Sequence, residues 1–362
     1  MKQARILKSL FRPLGAVMAL VLLAVMLVAS TAGATEELNA LVWCDHTDPA
    51  LIEPFEKAND VKVNLKEYEG TGTALSLVEQ SQPGDWDVFI IDGVDVPLAV
   101  AAGILAPLPE DQLPFGDLFP EMLLPEFLKH DGKYYAISEK FGYNTITYNN
   151  KKVDPKDMED MSIIWSDKYK DRIAVYDYYL PVIGMVALGL GLEVDKITEA
   201  DLPAIREKLF AMKDVTKTIG EVVASQTALA TGEVDILVGG GEWVTAVLSA
   251  EQPELDWVLP KEGSVRWSQS IGIFASSTKK DLALKFVQYI MSPEGQARLA
   301  TSSCYWGMPA NRKAGEFLNA RQKAALRWDQ QEEYLARAVM YPSPSPELDK
   351  QFQDLWTEFL QH

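Results

Sequence analysis

A chain of 362 residues with 52 acidic and 34 basic side chains, formal charge −18, presents a surface that repels nucleic acid and anionic membrane. It is long enough to bury two cores. Its three histidines show no metal-ligand spacing, which speaks against a zinc enzyme, and its two cysteines permit one disulfide, Cys44–Cys304, in an exported protein.

The first 34 residues read as an export leader. Lys2, Arg5, Lys8 and Arg12 precede an apolar run over 15–29, and Ala32-Gly33-Ala34 is a small-x-small cleavage pattern. The run is short for a membrane span. Cleavage after Ala34 removes four basic residues and no acid, so the formal charge falls from −18 to −22. The expected location is the periplasm.

Residues 38–49, LNALVWCDHTDP, open the mature chain. Leu38, Ala40 and Val42 alternate as in a strand, which ends in Trp43 and the polar cluster Cys44, Asp45, His46, Thr47, Asp48. Asp48-Pro49 then starts a helix over 49–59. A strand is expected over 61–66, a turn at 70–72 and a helix over 74–81. The buried strand 86–91 ends in Asp92-Gly93, and a short helix covers 96–102. This β-α-β-α-β rhythm points to a parallel sheet with helices on both faces. Ligands of such sheets lie at the strands' C-terminal ends. No GxGxxG or Walker sequence occurs, so nothing points to a nucleotide.

Asp131-Gly132-Lys133 makes a hairpin turn, and 142–149 reads as a strand crossing into a second domain. The strand 173–175 runs into Tyr176-Asp177-Tyr178-Tyr179. Helices are expected over 181–191, 199–212 and 222–231. The strand 234–238 runs into Gly239-Gly240-Gly241, where backbone can approach closely, either as a tight turn or as an anion nest. A helix over 242–250 follows. The segment 265–274 reads as the return crossing, with Trp267 and Gln269 on one face and Arg266 and Ser268 on the other. Amphipathic helices over 282–291 and 351–360 flank a broken polar-aromatic stretch at 302–311.

LNALVWCDHTDPALIEPFEKANDVKVN, then DWDVFIIDG, GYNTITYNNKKVDP, GEVDILVGGGEW, VLPKEGSVRWSQSIGI and GMPAN, in this order, resemble the spermidine/putrescine-binding proteins of bacterial ABC importers. These lie within the wider family of extracellular solute-binding proteins. The resemblance implies an α/β, periplasmic-binding-protein-like fold: two α/β lobes joined by crossing strands, with a ligand cleft between them. Lobe 1 would be 37–143 plus 269–313, and lobe 2 would be 144–268 plus 314–362. Such a protein acts as a monomer, needs no cofactor and catalyses nothing. It captures a small polar, amine-containing organic solute and delivers it to the membrane permease of an ABC importer.

In the pocket, the resemblance makes Trp43 and Trp267 aromatic walls and Asp45 a charged contact. His46 and Asp92 stand where the family has Tyr and Ser. Gln269 replaces an Asp, which removes a charge but keeps hydrogen bonding. Gly240 replaces a wall Trp, which would open volume. Asp177 lies one position from the family's carboxylates, Trp306 stands close to a family Tyr, and Glu242 could restore acid. The expected pocket keeps aromatic wall and loses amine-binding carboxylates. Polyamines remain one reading, and an amino-acid-like or betaine-like solute is another. A third is a secreted enzyme using Cys44 and His46, which a Cys44–Cys304 disulfide would exclude.

Overall fold

The structure, a computed structural model, describes residues 35–362; the leader expected over 1–34 lies outside them. Strand β1 (Glu36–Val42) buries Leu38, Ala40 and Val42 and pairs in parallel with β2 (Val61–Glu67) and β3 (Val88–Asp92). Helix α1 (Pro49–Asn59) connects the first two. The Asp48 carboxylate accepts the Ala50 N–H at 2.8 Å, Pro49 suits the first turn, and Asp60, at φ 54°, ends the helix. Its Leu51, Ile52 and Phe55 face the core. Helix α2 (Thr71–Glu79) leads to β3, and α3 (Val96–Ala101) follows it. A hairpin of β4 (Lys129–His130) and β5 (Lys133–Tyr134) turns at Asp131-Gly132, as the sequence suggests.

The 14-residue strand β6 (Ala136–Asn149) is buried along its whole length. The second parallel group is β7 (Ile173–Tyr176), β8 (Thr216–Gly220) and β9 (Ile236–Gly240), with β10 (Leu255–Val258) laid on β6. Helices α4 (Tyr179–Gly189), α5 (Leu202–Lys213), α6 (Val222–Ala230) and α7 (Glu242–Leu248) connect them. Strand β11 (Ser264–Ile273), again buried throughout, runs back antiparallel to β6. Helices α8 (Lys280–Met291) and α9 (Pro293–Ala300), then β12 (Met308–Pro309) and β13 (Ala338–Met340), precede the last helix α10 (Pro346–Gln361). The strand order is β2-β1-β3-β11-β6-β9-β7-β8.

Two cores form on this sheet. One gathers Phe89, Phe141 and Phe286; the other gathers Val175, Leu237 and Phe352. The crossing strands supply both, Phe141 and Ile271 to the first, Ile146 and Val265 to the second. The tail is shared: Leu318, Leu326 and Leu335 pack in the first core, while α10 packs Leu348, Phe352 and Phe359 in the second.

Several elements differ from expectation. β6 begins at Ala136 rather than at 142, because the charged run Glu139-Lys140 is buried inside it. β8 and β13 are short or polar and owe their strand state to pairing. β9 ends two residues later than expected and takes in Gly239 and Gly240. A Cβ on Gly240 would stand 2.5 Å from Thr147 Oγ1, so this glycine opens no volume; it lets β9 lie against β6.

Cys44 and Cys304 are bonded across a separation of 260 residues, with their Cα atoms 6.0 Å apart. The thiol that the enzymatic reading needs is therefore consumed. Reduction is expected to lower unfolding free energy by about 2–5 kcal/mol, measured by denaturant unfolding with and without reductant. An unchanged midpoint would contradict the bond's structural role.

Candidate functional site

Between the two cores lies a cleft of about 430 Å³ of space between atoms, its mouth included. Its walls follow from the topology, because strand after strand delivers one side chain at its C-terminal end. Trp43 follows β1, Asp92 ends β3, Tyr176 ends β7 and Tyr178 lies two residues on. Val222 follows β8, and Trp243 stands in the first turn of α7 after β9. The crossing strands add Asn144, Trp267 and Gln269. Tyr305 and Tyr341 close the remaining sides. Parallel α/β sheets place ligands at such strand ends.

The cleft is closed over by contacts between the two sides. The Tyr178 hydroxyl donates to Asp92 Oδ2 at 2.8 Å, and Gln226 Nε2 donates to the Cys304 carbonyl at 3.0 Å. The disulfide holds the loop that carries Tyr305 against the loop that carries Trp43. Ser302 Oγ, donating to the Asp45 carbonyl at 2.7 Å, adds to that hold.

Asp92 is the one carboxylate among the lining residues. Burial, with the nearby Asp95 charge, pushes its pKa up to about 7, against the Tyr178 hydrogen bond that lowers it. An ionised Asp92 in this place lacks a cation, and the cleft supplies no Lys or Arg to its lining.

Beneath the cleft floor four charged side chains, all without solvent exposure, form a closed network. Asp45 and His46 come from the turn Cys44–Thr47; Glu139 and Lys140 come from β6. His46 Nδ1 lies 3.0 Å from Asp45 Oδ1, and its Nε2 lies 3.2 Å from Glu139 Oε1. Lys140 Nζ donates to Asp45 Oδ2 at 2.9 Å and to the Tyr305 carbonyl at 3.0 Å, and sits 3.9 Å from the centre of the Tyr305 ring. Burial alone would lower the His46 pKa, but Glu139 and Asp45 outweigh it and raise it to about 10. Burial alone would raise that of Asp45, but Lys140 and His46 outweigh it and hold it well below the usual carboxylate range. Burial lowers the Lys140 pKa against Asp45 and Glu139, which raise it, so two acidic and two basic side chains balance one another in this network.

Gln269 joins this network to the cleft. Its Nε2 donates to Asp45 Oδ2 at 3.1 Å and to Glu139 Oε1 at 2.9 Å, and its Oε1 accepts the Tyr305 hydroxyl at 2.6 Å.

The sequence-derived candidates thus separate. Trp43, Asp92, Trp267 and Gln269 line the cleft. Asp45 and His46 do not: the turn after β1 folds them inward, where Lys140 and Glu139 satisfy them. Asp177 accepts the Trp356 indole N–H at 2.9 Å and ties α10 down; its neighbour Tyr178 is the lining residue. Trp306 packs against the first core, and again its neighbour, Tyr305, lines the cleft. Gly240 is inside β9. Glu242 is buried under β6, where both its oxygens lie 3.2 Å from the Tyr143 N–H. Burial pushes its pKa up to about 8, against the backbone hydrogen bonds and the Lys140 charge that lower it. A Cβ on Gly142 would fall 1.6 Å from Glu242 Oε1 and 2.6 Å from the Trp267 ring, so only glycine fits there.

Besides the neighbours Tyr178 and Tyr305, sequence reasoning missed Asn144, Tyr176, Val222, Trp243 and Tyr341. The aromatic run at 176–179 and the Trp after three glycines were the available signals; Tyr341 had none. Among the described residues, no group of three His, Cys, Asp or Glu could hold a metal ion.

Known proteins agree with this architecture. The family described as "Bacterial extracellular solute-binding protein" matches residues 50–325. The spermidine/putrescine-binding periplasmic protein of Salmonella typhimurium is 25% identical over 288 residues, which cover 78% of this chain and 80% of that one. The spermidine/putrescine substrate-binding protein PotD of Streptococcus pneumoniae superimposes with a TM-score of 0.75 at 21% identity, over 90% of this chain and 99% of the other. MotA of A. tumefaciens, solved in complex with glucopine, does so with a TM-score of 0.70 at 19% identity, over the same shares. The chain belongs to the bacterial extracellular solute-binding proteins, and is a periplasmic receptor that serves an ABC importer with a small polar solute rather than an enzyme.

Proposed function

We propose that the solute is a small amine-containing organic cation, captured between the lobes by aromatic walls and by Asp92. The observation that carries this reading is the lining itself: seven aromatic side chains, one carboxylate and no basic group. Aromatic faces attract cations. A buried carboxylate without a counter-charge is costly, and a bound cation removes that cost.

Spermidine- and putrescine-binding relatives make a polyamine the second reading. A single carboxylate suits one ammonium better than two or three, so a monocation is favoured. The same lining weighs against an amino-acid-like zwitterion, whose carboxylate would find no basic partner. The lobes are proposed as the two cores with their strands, closing about β6 and β11, with the permease as the docking partner.

A melting-shift panel of monoamines, quaternary ammonium compounds, polyamines, amino acids and carboxylates tests this. A compound that binds only the folded state raises the melting temperature with its concentration. Stabilisation by an organic cation is expected, weakened by about 2 kcal/mol or more in Trp267→Ala. Stabilisation by carboxylates or neutral solutes alone would overturn the cation reading.

A further inference from the structure

We infer that Tyr178 couples capture of a cation at Asp92 to closing of the cleft: it is a positioning residue that acts across the lobes through that carboxylate. This rests on the cleft being the site of a cationic solute, as proposed above.

Two side-chain contacts that span the cleft differ in kind. Gln226 Nε2 and the Cys304 carbonyl are neutral on both sides, so their bond of 3.0 Å is indifferent to the charge that lies between the lobes. The Tyr178 hydroxyl instead donates to an acid, Asp92 Oδ2, at 2.8 Å. A bond to an ionised acceptor is roughly twice as strong as one between neutral groups.

Packing fixes both ends of this bond. The Tyr178 ring packs against the second core and stands edge-to-face against Tyr176, Tyr179 and Tyr341, with centroid distances of 6.1, 5.9 and 5.7 Å. Tyr341 is held in turn by its hydroxyl, which donates to Asn144 Oδ1 at 2.8 Å. Asp92 ends β3, which β1 and β11 flank. A carboxylate anchored to one group of strands therefore meets a hydroxyl anchored to the other.

Around Asp92 stand Asp95, from its own turn, and the phenols of Tyr68, Tyr176, Tyr305 and Tyr341, which burial and nearby carboxylates keep protonated. Burial and the Asp95 charge push the Asp92 pKa up to about 7, and the Tyr178 bond pulls against them. A bound cation pulls in the same direction as Tyr178. Ligand and phenol favour the same ionised carboxylate, so each strengthens the other's contact.

The test is titration calorimetry of the intact mature protein with choline and with putrescine, from about pH 5 to about pH 9. Choline carries a fixed charge, and alkylammonium groups titrate near pH 10, roughly, so the pH dependence reports the protein. Wild-type affinity is expected to fall as pH drops through about 7. In Tyr178→Phe, which keeps the ring, this midpoint should rise by about one pH unit, because the bond that lowered it is gone. Above the midpoint, affinity should be about tenfold weaker, through faster dissociation. Gln226→Ala should weaken binding without moving the midpoint. In an Asp92→Asn background, Tyr178→Phe should cost less than in the wild type. Circular dichroism checks that each variant is folded. An unmoved midpoint in Tyr178→Phe, or an equal cost in the Asp92→Asn background, would overturn the inference and leave the cation site standing. Tighter binding in Tyr178→Phe would also overturn it, since the phenol would then compete with the ligand for the carboxylate. If neither probe binds the wild type, the cation reading itself fails and this inference with it.

Discussion

Lys140→Met is expected to cost the folded protein about 3–5 kcal/mol, the usual penalty for removing one partner of a buried charge pair. Lys140 and Asp45 are both without solvent exposure and 2.9 Å apart. Without the ammonium, two carboxylates face one imidazolium in a space that water does not reach. Denaturant unfolding measures the loss. Adding Asp45→Asn should recover part of it, because replacing both partners is milder than stranding one. Wild-type stability in the single variant would contradict the network's role. The pH dependence carries a second signature. The His46 pKa is raised from 6.5 to about 10, so its share of stability is complete below pH 6.5 and is lost as pH rises toward 10. Asp45 is depressed, so its share is present above about pH 4 and is lost as pH falls further.

Asp92→Asn is expected to weaken an organic cation by about 2 kcal/mol or more, roughly thirtyfold. Its pKa stands near 7, so it is ionised above neutrality and protonated below. Affinity of the wild type for a permanent cation should therefore be full above about pH 7 and fall as pH drops through it. The Asn variant should show a flat profile over the same range. Equal affinity in both proteins, or the same slope in both, would remove Asp92 from the site. In the proposed closure of the lobes, the same group would couple closing to ligand, because burying a carboxylate without a counter-charge is costly unless a cation comes with it.

Much of the first lobe was legible before the structure. Capping at Asp48-Pro49 and the alternation of Leu38, Ala40 and Val42 are local signals, and local geometry honours them. The reading of β6 failed at Glu139-Lys140, since a buried strand is expected to be apolar. What completes those charges is Asp45 and His46, about 95 residues away, and no window of sequence shows that pairing. The same fact moved Asp45 and His46 from the cleft to its floor. Asp177 and Trp306 each missed by one position, because side chains on extended backbone alternate between faces and one step turns a wall residue into a packing residue. Trp43, Asp92, Trp267 and Gln269 were placed at strand ends or on one strand face by pattern, and these positions do line the cleft.

A crystal structure of the protein with the tightest-binding member of the panel tests the central claim most directly. The account predicts the ligand between the lobes, its cationic nitrogen within about 6 Å of the ring centres of at least two of Trp43, Trp243 and Trp267, and facing Asp92. A ligand bound outside this cleft, or one that sets a neutral or anionic group against Asp92 and the indoles, would contradict it.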